Sequence, residues 1–513
     1  MAEKKAKIVV VKENFSAAQV ADESVAKVVK SAQVFDAVTT MATDFEPDET
    51  SVLHNDDFGL VFAKLTDAEA TRMAEKPGVV SVEDDEVVYA LQDGNLGGGE
   101  DDGGFDDDML VADDDAAAAI EAALSEMEEP ATGDFEISAA EAALAAQLEP
   151  GPEDDVAILE TGEVISLRGP GIADVEAAGI PRDKLVGLIK CVIKCAIEQF
   201  SGQVQEVSDE KISELLAASG LPGSAAAAQA VSDYITCGLR IIYAPQAWRY
   251  SLGGGVRVAV LDTGIAPQHP DLRVYGGASF VPGVTSWHDD HYHGTHVAGT
   301  IAALANGQGV IGVAPRARLY AVKVLNKNGS GSTSGILNGL AWCRQHRMHI
   351  VNLSLGSLAT THDPRVYSRA YEAAGRRLRR QGILPVAAAG NSGAKSQPYV
   401  NNPARCPSFM AVAAVDCERR RPTFSSYGRQ VEICAPGVKV WSTLPPNRYG
   451  QLSGTSMACP HVAGVAALVK RSHPAWGGDE IRVHLWNTAR DLGTPGNDPF
   501  CGRGLVNAYG AVQ

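Results

Sequence analysis

Three polar residues in the second half of the chain could do chemistry together. Asp262 ends the apolar run Val258-Ala259-Val260-Leu261 and precedes Thr263-Gly264, His293 opens His293-Gly294-Thr295-His296-Val297-Ala298-Gly299, and Ser456 lies within Gly454-Thr455-Ser456-Met457-Ala458. A serine hydroxyl becomes a nucleophile when an imidazole within hydrogen-bond reach takes its proton. That imidazole in turn needs a carboxylate to fix its tautomer and stabilise its charged form. The set suits acyl transfer, provided the fold brings three distant positions together. Read alone, Ser456 is an N-cap serine on a core helix, because Val462, Val465, Ala466, Leu468 and Val469, ending in Lys470-Arg471, have the density and basic last turn of a buried helix. A helix start also favours negative charge developing beside the hydroxyl, through its unpaired amides and positive dipole end. Pro460 is expected near that start, where a missing donor costs least.

The elements that must position these groups are legible from residue 241 onward. Apolar runs at 256–261, 319–325, 350–355, 383–389 and 410–415 read as strands buried on both faces, alternating with helical stretches at 295–304, 333–346 and 366–380. Such alternation predicts an α/β fold, a mainly parallel sheet between helical layers with the reactive residues at the carboxyl ends of its strands.

With their order of Asp, then His, then Ser, the three motifs resemble those of the subtilisin-like serine peptidases, the subtilases, and the resemblance covers residues 241–513. It implies a subtilisin-like three-layer fold in which Asp262 orients His293, His293 acts as base and then acid, and Ser456 attacks. It also implies that Asn391, in Ala387-Ala388-Ala389-Gly390-Asn391, donates its amide to the oxyanion together with the Ser456 N–H. Ser354-Leu355-Gly356 and Asn328-Gly329-Ser330-Gly331 are similar to the family's two edge segments, so Ser330, Gly331, Ser354, Leu355 and Gly356 are expected to pair with an extended polypeptide substrate, glycine admitting its backbone. Ala- and Gly-lined walls suggest an apolar preference at the substrate residue before the cut. The floor of that pocket, near Asn401, is left open.

Asp271, in His269-Pro270-Asp271-Leu272, and the loop 304–310 match the family's strong calcium site. The ligands so implied are Asp271, Asn306 and the carbonyls of Leu304, Gln308 and Val310, oxygen donors suited to a structural Ca²⁺. No catalytic metal is expected, because His291, His293 and His296 form no His-Glu-x-x-His pattern and a zinc reading leaves the serine motif unexplained.

Residues 1–91 read as a separate α+β unit. Strands are predicted at 7–12, 35–39, 59–65 and 79–91, with helices at 16–31 and after the capping-box sequence Thr66-Asp67-Ala68-Glu69; two βαβ-like halves of this kind suggest a ferredoxin-like fold. This unit resembles the inhibitory propeptide of secreted subtilases. The resemblance implies an intramolecular inhibitor whose strand Val87-Val88-Tyr89-Ala90-Leu91 lies product-like in the cleft, with a first self-cleavage near Leu91. Residues 92–152 form an acidic low-complexity linker, with Asp106-Asp107-Asp108 and Asp113-Asp114-Asp115, and 153–240 read as a helical insert of unknown role, with helices at 183–200, 208–218 and 225–235. Its removal is expected somewhere in 220–240, leaving 241–513 as the catalytic domain, monomeric when mature.

Charge divides along the same line. Residues 241–513 carry 28 Lys and Arg against 13 Asp and Glu, a formal +15, which leaves −34 for residues 1–240 of a chain whose total is −19. Attraction between the halves follows. The densest basic cluster, Arg376 to Arg380, reads as the solvated face of a helix, so no nucleic-acid partner is expected. No stretch is long and apolar enough to span a membrane, and Ile8-Val9-Val10-Val11 is too short for a secretion signal, which leaves the location open between the cytoplasm and export. Nine scattered cysteines, an odd number, argue against a disulfide framework; they read as core residues, and Cys191 and Cys195 have no second pair to complete a zinc site. Intracellular subtilisins carry only a short extension, exported ones carry the propeptide behind a signal, and the acidic insert fits neither. A dedicated processing protease whose insert captures a partner is the alternative function. A silent protease fold is disfavoured because every motif position is intact.

Overall fold

The computed structural model describes residues 4–26, 33–36, 51–91, 110–111, 156–158, 164–166, 233–359, 361, 363–396 and 398–513. The chain forms two units, one of Met1–Ala116, Ile235–Leu304 and Gly309–Gln513, the other of Ala117–Tyr234 with Ala305–Gln308. In the second unit Val156–Ile158 and Val164–Ser166 pair as an antiparallel hairpin. The helices predicted at 183–200 and 208–218, and nearly all of that at 225–235, lie outside the described residues, as do Cys191 and Cys195.

The first unit is built on a seven-stranded parallel sheet. Its spatial order is Val274–Ser279, Arg318–Lys323, Arg257–Asp262, Ile350–Leu353, Leu384–Ala388, Met410–Val415 and Val431–Pro436. Strands such as Ile350–Leu353 and Met410–Val415 are apolar throughout and wholly buried, as a parallel sheet covered on both faces requires. The two strands not anticipated, VYGGAS and VEICAP, carry too few consecutive apolar residues to read as runs. Connections leave the Arg257–Asp262 strand toward one side of the sheet, and the Ile350–Leu353 strand lies on its other side. A crevice therefore opens at their carboxyl ends.

Helix Thr455–Ser472, buried from Thr455 through Val469, starts at that edge. Pro460 is not at its start but inside it, a correction with a visible compensation. Proline cannot donate to the carbonyl of Ser456 four residues back, and that carbonyl instead accepts the hydroxyl of Ser354 at 2.8 Å.

Residues 5–84 contribute a sheet in the order Gln33–Asp36, Ser51–Asn55, Leu60–Leu65, Lys5–Val11, Val79–Asp84. Without the edge strand Gln33–Asp36 this is the ferredoxin-like arrangement, packed around Val9, Val11, Val20, Val61, Leu65 and Met73. The Thr66 capping box is formed, with Thr66 N to Glu69 at 2.8 Å and Glu69 N to Thr66 at 3.3 Å. Two expectations change. Ser51–Asn55, read as polar loop, is a strand, and the single strand predicted at 79–91 breaks after Asp84 so that Val87–Ala90 leaves this sheet.

The break is held at helix starts. Asp85 accepts the amide of Ser334 at 2.8 Å and its hydroxyl at 2.6 Å, one residue into helix Thr333–Gln345, and burial pushes the Asp85 carboxyl up. Glu83 accepts the Ser368 hydroxyl at 2.7 Å and the Arg369 amide at 2.8 Å at the start of helix Arg369–Arg380. Acidic groups at these ends satisfy orphan amides and complement the helix dipole. The arginine-rich helix is accordingly not a freely solvated face: Arg380 pairs with Glu13 at 3.0 Å, Arg379 with Asp479 at 2.5 Å, and Arg377 is half-buried.

Two further differences concern crosslinks and edges. Cys237 and Cys417 form a disulfide across 180 residues, with Cα atoms 6.1 Å apart; an odd cysteine count forbids complete pairing but not a single bridge. Cys343, Cys406, Cys434, Cys459 and Cys501 are buried thiols. Leu110–Val111, inside the stretch read as linker, pairs antiparallel with Arg448–Leu452. Among the described residues no helix is long and apolar enough to cross a membrane.

Buried histidines set an acid limit on this fold. Desolvation lowers His296 to about 3 and His461 to about 4. Both stay neutral while the unfolded chain takes up protons below about pH 6.5, so their contribution is complete above that pH and is lost on acidification by about 1.4 kcal/mol per pH unit each. The melting temperature in calorimetry is expected to fall steadily from pH 7 to pH 5. A flat profile over that range would contradict it.

Candidate active site

Asp262 ends its strand fully buried, with Oδ1 2.8 Å from His293 Nδ1 and accepting the Thr263 amide at 2.7 Å. His293 is the first residue of helix His293–Ala302, and the start of that helix is pinned by polar groups. Thr263 Oγ1 accepts the Gly294 amide at 2.9 Å and donates to Asp289 at 2.8 Å, while Asp289 also takes the Thr295 amide at 2.9 Å and its hydroxyl at 2.6 Å. Lys323, wholly buried at a strand end, donates to the carbonyls of Thr263 at 2.6 Å and Leu325 at 3.0 Å and pairs with Asp290 at 2.5 Å. Sequence reading missed Asp289 and Lys323. The nearest signal was an unexplained acid four residues before His293.

Ser456 is the second residue of its helix and fully buried. Its hydroxyl donates to the Ser354 carbonyl at 2.8 Å, and His293 Nε2, also buried, has no hydrogen-bond partner. The hydroxyl-to-imidazole bond that the chemistry needs is therefore not made here; a nearby carbonyl offers the hydroxyl a competing acceptor.

Asn391 follows the strand Leu384–Ala388. Its Oδ1 accepts the amide of Thr455 at 3.0 Å and its hydroxyl at 2.9 Å. An amide N–H can only donate, so the Asn391 orientation is fixed and Nδ2 is left as a buried donor without a partner. The Ser456 amide, a second donor in the crevice, binds the Leu91 carbonyl at 3.2 Å. Desolvation keeps His291 neutral, lowering it to about 4, and His296 Nε2 donates to the carbonyls of Val440 at 2.8 Å and Gly450 at 3.2 Å. Among the described residues no cluster of three or more His, Cys, Asp or Glu is arranged to hold a metal.

The edges are filled by the chain itself. Val87–Ala90 lies antiparallel between Ser330–Ser332 and Leu355–Gly356, with Tyr89 opposite both Ser330 and Gly356. Two bonds extend the ladder: Ala90 N donates to Gly329 O at 2.9 Å and Leu91 N to Ser354 O at 3.3 Å. Gly331 is needed for a reason other than the one expected, since a Cβ there would lie 2.2 Å from the Val324 carbonyl behind it rather than obstruct the added strand. At Gly356 a Cβ would come within 3.1 Å of Leu91 Cδ1.

The residues suggested for calcium fall in both units. In the first, Asp271 is buried and accepts the Val310 amide at 3.2 Å, while its carbonyl accepts the Leu304 amide at 3.0 Å. In the second, Asn306 Oδ1 accepts the Gln308 amide at 3.0 Å, and the amides of Asn306, Gly307 and Gln308 converge on Oδ1 of Asp233 at 3.3, 2.9 and 3.1 Å. Asp233 was not anticipated. Burial pushes its carboxyl up to about 7, and its Oδ2 is buried with no hydrogen-bond partner.

Residues 253–504 match the model of the Subtilase family. The thermostable alkaline protease of Halalkalibacterium halodurans is 52% identical over 284 residues, 55% of this chain and 75% of that protein. Subtilisin Savinase of Lederbergia lenta is 53% identical over 277 residues, 54% of this chain and 98% of its own length. Alkaline elastase YaB of a Bacillus species is 53% identical over 277 residues, covering 54% and 70% respectively.

Proposed function

Because the chain belongs to the subtilase family of serine endopeptidases, we propose that it cuts peptide bonds with Asp262, His293 and Ser456 and is made as a zymogen silenced by its own front unit. One observation carries the zymogen reading: the Leu91 carbonyl rests on the Ser456 amide at the end of a strand added to both cleft edges. That is the pose of the acyl half of a cleaved peptide, so the chain running on from Leu91 is the leaving half.

In the forward reaction His293 Nε2 takes the Ser456 proton as the hydroxyl attacks the carbonyl, then returns it to the departing amine. Asp262 fixes the proton on Nδ1 and balances the imidazolium. The Ser456 amide and Asn391 Nδ2 meet the charge that develops on the carbonyl oxygen. Water then repeats the sequence on the acyl-enzyme. A fluorophosphonate should label the active protein and not Ser456→Ala, and N-terminal sequencing should place the active form downstream of Leu91. An active enzyme that still begins at Met1 would refute the zymogen reading.

Structural calcium belongs to the same proposal on donor chemistry. Asp271 with the carbonyls of Leu304 and Val310 in the first unit, and Asn306 with the carbonyl of Gln308 in the second, are hard oxygen donors, and within the second unit the orphaned oxygen of Asp233 is the kind of group a cation relieves. Bound to the folded state alone, calcium would stabilise it by mass action. Chelation is expected to lower the melting temperature by about 10 °C, reversibly on adding Ca²⁺. Identical melting curves with chelator and with Ca²⁺ would count against calcium.

A further inference from the structure

Asn401 is 1% exposed, yet neither Nδ2 nor Oδ1 of its side chain has a hydrogen-bond partner. Its backbone is held in place, the amide donating to Ala389 O at 2.9 Å and the carbonyl accepting the Arg405 amide at 2.8 Å. The side chain packs against two glycines. A Cβ on Gly390 would lie 2.8 Å from Asn401 Cγ, and a Cβ on Gly356 would lie 3.1 Å from both Asn401 Cβ and Leu91 Cδ1. Leu91 and Asn401 thus both border the space beside Gly356, together with the Asn402 carbonyl, 2.9 Å from that Cβ and already taken by the Ser357 amide, and Gly390 lies against the Asn401 amide.

We propose that Asn401 makes this pocket select a primary carboxamide, Asn or Gln, at the substrate residue whose carbonyl is attacked. The inference rests on the peptidase reading above and departs from the apolar preference that the Ala- and Gly-rich walls suggest. An apolar occupant such as Leu91 offers the Asn401 amide neither a donor nor an acceptor. A carboxamide supplies both complements at once, its N–H₂ to Oδ1 and its C=O to Nδ2. Asparagine is nearly isosteric with leucine, so the exchange adds two hydrogen bonds without changing the volume to be filled. A carboxylate or an ammonium group satisfies only half of the amide and gives up its hydration. Leu91 is then a deliberately poor occupant: it seats the front unit's strand without the hold an amide would have.

The test compares kcat/KM of the active enzyme on succinyl-Ala-Ala-Pro-X-p-nitroanilides, with X as Asn against Leu and Gln against Met. Relative to Asn401→Leu, the wild type should favour the amide member of each pair by about tenfold. Asn401→Asp keeps the shape and loses the donor; it should lose the Asn and Gln preference and gain on X as Lys, which keeps the question decidable if Asn401→Leu does not fold. Equal amide-to-apolar ratios in the wild type and in either variant would overturn the proposal. If the wild type hydrolyses none of the four substrates, the peptidase reading falls with it; brisk hydrolysis with Leu and Met preferred sinks the selectivity alone.

Discussion

Ser456→Ala should yield a chain that stays full-length and turns over substrate about 10⁶-fold more slowly, the size of loss found when subtilisin itself is stripped of its serine. Both effects come from one atom. On the proposed mechanism the hydroxyl is the nucleophile for a self-cut after Leu91 as well as for later substrates, so the variant should show an unprocessed band, and any residual turnover should be about 10³–10⁴ above that of water. The fold should survive, because the helix around Ser456 is held by groups that the substitution leaves in place: the Ser354 hydroxyl on the Ser456 carbonyl, the Thr455 contacts to Asn391, and an uninterrupted apolar core from Val462 to Val469. Mass spectrometry and a chromogenic assay read the two outcomes separately. Normal processing in Ser456→Ala would require another nucleophile or another protease.

Asp262→Asn should lower kcat by about 10⁴ with little change in KM. Asp262 Oδ1 faces both the Thr263 amide and His293 Nδ1, two groups that an asparagine oxygen could still accept. The amide nitrogen would then replace Oδ2, which is buried without a partner. The local hydrogen bonds can therefore be kept while the charge that balances the imidazolium is lost. The loss should appear in kcat, since neither cleft edge is touched. A variant of unchanged kcat would remove Asp262 from the mechanism.

Much of this site was legible because each motif concentrates its local requirements. Asp262 ends an apolar strand and His293 and Ser456 open helical runs, so spacing places them at the strand ends, whereas the role of Asn391 came from the family resemblance. The groups that hold them were not legible. Asp289 and Asp233 act through partners fixed only by tertiary packing, and their sequence neighbourhoods resemble those of surface charges; Lys323 did carry a signal, a lysine inside the run 319–325 read as buried, but not its partners. The arginines at 376–380 show the same limit from the other side: helical periodicity places them on an outer face, but only the fold reveals Glu13 against that face. The bridge from Cys237 to Cys417 spans 180 residues and has no local signature. The helix at Thr455 was readable as a run, whereas its tolerance of Pro460 depends on a hydroxyl a hundred positions earlier.

The short segment from Glu83 to Leu91 makes three attachments in a row: Glu83 at one helix start, Asp85 at another, and the strand Val87–Ala90 in the cleft. Linked modules bind as a multivalent ligand, because each attachment holds the next at high effective concentration. The proposed self-cut after Leu91 would leave all three linked, so it need not open the cleft. A cut near Glu86 would be different. It would divide one avid ligand into two weak ones, and each enzyme freed that way could nick the next, so activation would run slowly at first and then accelerate with the amount already released.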